Sequence, residues 1–167
     1  MLRFCAGSGD AFAELVRSHQ HALLNLFRRL GADVHSAEDC AQETFVRLYR
    51  VREKYRPSAP FASFLYTLAR NSWIDYVRAR GKWRVSTPDD ELFTTGGDGA
   101  WDDRLDLLEA VARLPEATRW VLVLSLQQGL NYAEIADVLD VPLGTVKSRM
   151  FYAVRRLREA LHARVEI

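Results

Sequence analysis

Tyr132-Ala-Glu-Ile-Ala-Asp-Val-Leu139, then Asp140-Val-Pro142, then Leu143-Gly-Thr-Val-Lys-Ser-Arg-Met-Phe-Tyr152 follow one another without a break. Tyr132, Ile135, Ala136 and Leu139 fall at three- and four-residue intervals, so one short helix has a single apolar face. Asn131 precedes it as N-cap and Glu134 stands at the third helical position, which is a capping-box pattern. After a three-residue turn the second helix, from about 142–145 to about His162, places Val146, Met150, Ala153, Leu157, Ala160 and Leu161 on one side at 100° per residue. Ser148, Phe151, Tyr152 and Arg155 take the opposite side, flanked by Lys147, Arg149, Arg156 and Arg158. Two short helices across a tight turn, the second apolar behind and hydrogen-bonding, aromatic and cationic in front, predict a helix-turn-helix that reads a DNA major groove. Gly144 and Thr145 open the second helix, where backbone N–H groups can approach a phosphate. Solvated arginines on a surface helix account for the cations equally well. The adjacent aromatics Phe151 and Tyr152, facing away from the apolar stripe, favour a partner.

Moving toward the N-terminus, a helix near 103–114 and one between Pro115 and Gly129 complete this block, with proline tolerated in a first turn. Residues 81–103 hold Gly81, Pro88, Gly96, Gly97 and Gly99 with the acidic runs Asp89-Asp90-Glu91 and Asp102-Asp103. That composition cannot bury enough apolar surface to fold alone, so it predicts a linker. Formal charge divides the same way: net +4 over residues 1–80, −4 over 81–103 and +1 over 104–167. The expected fold is all-α, with two small helical domains joined by a flexible acidic linker that leaves their relative orientation unfixed. A tether of about 23 residues reaches on the order of 75 Å when extended.

Three helices are predicted in the first block. One runs from an N-cap at Asp10 to Leu30 and ends at Gly31, with Phe12, Leu15, Val16, His19, Leu23, Leu26, Phe27 and Leu30 in register. A second begins near Ser36, with Asp39 as a weak capping box, and continues to Val51. Its candidate core is Cys40, Ala41, Thr44, Phe45 and Leu48, leaving Asp39, Gln42, Glu43 and Val46 facing out; solvent alone explains such a face. A loop with two prolines leads to a third helix, 61–80, where Phe61, Leu65, Leu68, Ser72 and Tyr76 form a core face. Phe64, Asn71, Asp75 and Arg78 lie along one edge. Tyr66, Arg70, Trp73 and Val77 form another stripe, which suits single-stranded nucleic acid because bases stack on rings while cations follow phosphates. Burial on two sides of a bundle explains that stripe too.

Several function classes are not supported. No P-loop, HExxH or GxSxG occurs, so no enzyme is expected. His19 and His21 diverge on a helix, and neither a metal nor a cofactor is expected. Two cysteines without a CxxC suit a reduced, cytoplasmic protein. No apolar run approaches the ~20 residues of a membrane span.

The run Leu114-Pro115…Gly129-Leu130-Asn131-Tyr132-Ala133-Glu134-Ile135-Ala136…Val141-Pro142-Leu143-Gly144-Thr145-Val146-Lys147-Ser148-Arg149 resembles region 4 of the extracytoplasmic-function (ECF) sigma factors. The resemblance covers most of 104–163 and implies that Gly144, Thr145, Lys147, Ser148, Arg149, Phe151, Tyr152 and Arg155 meet a promoter's −35 element. Tyr152 and Val154 stand where many members are basic. Ala37-Glu38-Asp39-Cys40-Ala41-Gln42-Glu43-Thr44-Phe45-Val46 resembles region 2.2, which implies that Asp39, Gln42, Glu43 and Val46 dock on RNA polymerase. Phe61-x-x-Phe64-Leu65-Tyr66-x-x-Ala69-Arg70-Asn71-x-x-x-Asp75-Tyr76-x-Arg78 looks like regions 2.3 and 2.4, which capture a flipped −10 base. It implies a pocket from the loop Lys54–Ser58, Tyr55 and Arg56 foremost, with Phe64, Asn71, Arg70 and Arg78. The family also implies domains at 1–80, 81–103 and 104–167, with core RNA polymerase, promoter DNA and an anti-sigma factor as partners. A stand-alone helix-turn-helix regulator remains the alternative on the C-terminal block alone.

Overall fold

The computed structural model describes residues 1–55, 60–80 and 107–165, with side chains throughout except Lys54 and residues 161–165. The described residues are helical, with no strand among them. A one-turn helix α1 (Leu2–Cys5) precedes α2 (Gly9–Leu30), α3 (Val34–Val51) and α4 (Phe61–Ala79). The second half holds α5, seen over 107–112, then α6 (Glu116–Leu126), α7 (Tyr132–Leu139) and α8 (Leu143–Val165).

The helix ends correct two expectations. Ser8, not Asp10, caps α2, its hydroxyl accepting from the Ala11 N–H. The α3 cap is Asp33, not a residue near Ser36: its carboxylate accepts from the Ser36 N–H at 2.8 Å and the Ser36 hydroxyl at 2.7 Å. Those two bonds, the backbone one first, hold the Asp33 carboxyl below its usual range. Gly31 ends α2 in the left-handed region at φ 104°, returning its N–H to the α2 carbonyls. The Asn131–Glu134 capping box forms as expected, and Asp140 ends α7 at φ 51°.

In the first half, Leu23, Leu26, Phe27 and Leu30 of α2 pack on Cys40, Thr44, Phe45 and Leu48 of α3 and Leu65, Ala69 and Trp73 of α4. Phe4 of α1 stacks on Phe12 with ring centroids 4.8 Å apart and meets Tyr49 at 5.7 Å. A charged bridge also spans α3 and α4: Arg47 bonds Glu43 at 2.8 Å and Asp75 of α4 at 2.7 Å. In the second half α6 is the central rod. Thr118 through Leu124 are all buried, as expected of a helix covered on every side. Ile135, Val138 and Leu139 of α7 and Val146, Met150 and Ala153 of α8 close over it.

Two apolar stripes differ from their expected membership. Tyr132 is 36% exposed, and the face of α7 turns instead on Val138, at 0%. On α8, Ala160 is exposed. Leu161 lies outside the described side chains, and so do Arg56 and the linker 81–103.

The described parts of the two halves also pack on each other, their buried apolar residues forming one cluster. Tyr66 donates its hydroxyl proton to Gln128 Oε1, and Trp73 Nε1 donates to Glu116 at 2.7 Å. Both rings are therefore core, at 3% and 4% exposure, and the wall covering them includes the second half.

Candidate nucleic-acid interface

Three surfaces carry the residues singled out above. On α8 the apolar back, Val146, Met150 and Ala153, is buried against its neighbours, and this orients the front. Lys147, Ser148, Phe151 and Arg155 are exposed, Phe151 at 71%. Gly144 is exposed, and Thr145 and Arg149 are half-buried. A broad phenylalanine face held in water by a rigid helix costs solvation free energy that burial against a partner removes. Beside it, Tyr132, Lys147, Val154, Arg155 and Arg158 line a shallow cleft of about 610 Å³. Tyr152 stands next to Phe151. It is half-buried, its hydroxyl accepts from Arg156 Nε at 3.1 Å, and Arg155 and Arg156 lie 5.7 and 5.5 Å from its ring centre. It positions two cations.

The second surface is the start of α4. Pro60 ends the preceding loop and sets the chain direction into the helix. Tyr55 meets Phe64 edge-on at 5.1 Å and Phe61 at 6.4 Å, so one loop residue and one helix residue of the expected pocket are in contact. Asn71 and Arg78 are exposed along the same helix edge, and Arg70 is half-buried. An aromatic wall with an asparagine amide farther along is chemically able to stack a base and bond its edge.

The third surface is α3, where the four singled-out residues divide. Gln42 and Val46 line an apolar groove of about 510 Å³ between α2 and α3. Glu43 is tied through Arg47 toward α4, and Asp39 is exposed beside it. Sequence reasoning missed the opposite wall, Phe12, Val16 and Leu24 of α2, and the rim residues Glu38 and Tyr49. Phe12 and Val16 have core periodicity, and nothing local tells a stripe that packs on α3 from one that stops short of it.

Comparisons with known proteins agree with this geometry. A family profile described as Sigma-70 region 2 matches residues 15–83, and one described as Sigma-70, region 4 matches residues 104–157. The chain is 38% identical over 156 residues to the ECF RNA polymerase sigma factor SigE of Mycolicibacterium smegmatis, covering 89% of this chain and 60% of that longer relative. It is 36% identical to the RNA polymerase sigma-H factor of Pseudomonas aeruginosa, covering 93% of this chain and 88% of the relative. Against the ECF sigma factor SigW of Bacillus subtilis the identity is 34%, over 93% and 89%. Among solved structures, CnrH in complex with the cytosolic domain of CnrY superposes with a TM-score of 0.75 at 25% identity, over 98% of this chain and 95% of that one. The fold is also that of the sigma factor RpoE, solved with the anti-sigma factor NepR from Bartonella quintana, with a TM-score of 0.73 at 24% identity, over 92% and 98%.

Proposed function

Because the chain belongs to the extracytoplasmic-function family of RNA polymerase sigma factors, we propose that its two halves are the two promoter readers and that its α2–α3 groove is the polymerase dock. Sigma factors are initiation factors and not enzymes, and the cytoplasm is where this one works. The observation that carries the reading is a pairing on one chain. The α7–α8 helix-turn-helix presents Phe151, Lys147, Ser148 and Arg155 to duplex DNA, and the Tyr55–Phe64 wall with Asn71 suits an unpaired base. A regulator that only binds duplex DNA has no use for the second.

The division of labour follows from chemistry. Residues 1–80 engage core polymerase through Gln42, Val46, Asp39 and Glu43 and capture the −10 strand through Tyr55, Arg56, Phe64, Arg70, Asn71 and Arg78. Residues 81–103 tether the halves. Residues 104–167 read the −35 duplex through Gly144, Thr145, Lys147, Ser148, Arg149, Phe151 and Arg155, with Tyr152 steadying the cations. Flipping a base costs a few kcal/mol, which stacking on the Tyr55–Phe64 wall offsets. An anti-sigma factor is the partner that keeps such a chain from polymerase.

The test is run-off transcription on genomic fragments with core polymerase, with transcript 5′ ends sequenced. Specific starts that share two upstream elements are expected. Binding to duplex DNA without core, and no specific start with it, would instead identify a stand-alone regulator.

A further inference from the structure

Asp75 is a carboxylate on an edge that the reading above gives to DNA. At 100° per residue, Phe64, Asn71, Asp75 and Arg78 fall within one narrow stripe of α4. Asp75 stands four residues after Asn71 and three before Arg78, so it neighbours both on the helix surface. All three of these residues are exposed. A single strand laid along this edge carries its phosphates past a fixed negative charge, which repels them. Arg47 of α3 lies against that charge. Its Nη2 donates to Asp75 Oδ2 at 2.7 Å, and its Nε donates to Glu43 Oε1 at 2.8 Å. The Arg47 side chain is 26% exposed against 54% for Asp75, so the guanidinium is the better shielded of the two and is held from both sides.

We infer that Arg47 is a positioning residue for the −10 strand: it neutralises Asp75 and so keeps the DNA-facing edge of α4 open to phosphates. This rests on the reading of α4 given above. The geometry suits the role. A planar guanidinium bonded through two of its nitrogens has its plane fixed, so the Glu43 bond keeps Arg47 aimed at Asp75. An ion pair this exposed contributes little to folding. Its effect on a bound strand is larger, because a carboxylate left bare between Asn71 and Arg78 opposes the phosphates that Arg78 attracts.

The experiment uses the full chain assembled with saturating core polymerase, as the natural sequence, Arg47→Met, Asp75→Asn and the two changes together. The probe is a fluorescent single-stranded oligonucleotide with the −10 sequence of a promoter identified by its run-off start, titrated over a series of salt concentrations. Circular dichroism reads helix content, and a duplex with the same promoter's −35 element is the control. Arg47→Met is expected to weaken strand binding about tenfold at low salt, the size of one uncompensated charge close to a phosphate. The slope of log K against log salt should flatten by about 0.7, the share of one charge on a single strand. Adding Asp75→Asn should restore both, with duplex binding unchanged throughout. Asp75→Asn alone should bind the strand at least as tightly as the natural chain. A defect that Asp75→Asn does not relieve, or one of equal size at every salt concentration, overturns the masking and leaves Arg47 a brace between helices. Weaker binding by Asp75→Asn alone makes the carboxylate itself a DNA contact and overturns it too, and this variant decides the matter even where Arg47→Met loses helicity. Those failures leave the sigma reading intact. Absence of any specific start from the natural holoenzyme sinks that reading, and the masking falls with it.

Discussion

At the scale of single residues, Phe151 and Cys40 mark the extremes of what a side chain meets here. Phe151 is 71% exposed and packs on little, so Phe151→Ala should change stability by no more than about 0.5 kcal/mol. The same change should lower specific transcription about tenfold or more, with the melting temperature as the control. A large loss of stability would mean the ring is part of the fold. Cys40 is 2% exposed, and burial, assisted by the Asp39 charge, pushes its thiol up to about 12. The thiolate is the reactive species. Cys40 should therefore resist alkylation at pH 8 until the chain unfolds in urea, read by mass spectrometry of the two cysteine peptides. Labelling of the folded chain at the rate of a free thiol would contradict this.

At the scale of elements, caps decide where helices start. Asn131 accepts from the Ala133 and Glu134 N–H groups at 3.0 Å each, and Glu134 answers by accepting from the Asn131 N–H at 2.8 Å. Asn131→Ala should cost about 1 kcal/mol. The resulting shift reports on the cooperative unit: about 2–4 °C if the whole chain melts together, about 4–8 °C if the second half melts alone. Calorimetry distinguishes the two, and an unchanged melting temperature would mean the cap contributes nothing. The boundary of α3 shows the limit of pattern reading. Both Asp33 and Ser36 are capping types, and only the backbone turn at Asp33 decides that its carboxylate receives the Ser36 N–H.

At the scale of the molecule, two buried ionisable groups predict alkaline weakening. Burial pushes the Tyr66 phenol up to about 12, as it does the Cys40 thiol. Both folded values lie above the unfolded ones, near 9 and 10. The unfolded chain therefore releases these protons first, and stability is full below about pH 9 and falls as pH rises toward 12. Urea midpoints should drop between pH 8.5 and 10.5. An unchanged midpoint over that range would mean that neither group is buried in the folded chain.

The helical class, the helix-turn-helix and its capping box were legible because they depend on local order: 3.6-residue periodicity, an Asn–Glu pair three apart, glycine after Leu30. The front of α8 was legible for the same reason, since its buried stripe implies what faces away. The apolar groove on α3 and the role of Tyr66 and Trp73 were not. A stripe of apolar residues says that something covers it, and not whether that cover is a neighbouring helix, the other half or another molecule. Arg119 shows this most sharply. In sequence it is the one basic residue of α6, and its carbonyl partners at Arg29 and Leu30 lie some ninety positions away. Local periodicity determined the helices and their faces; only the tertiary structure decided that the two halves close on each other, because that contact is made by side chains with no regular spacing along the chain.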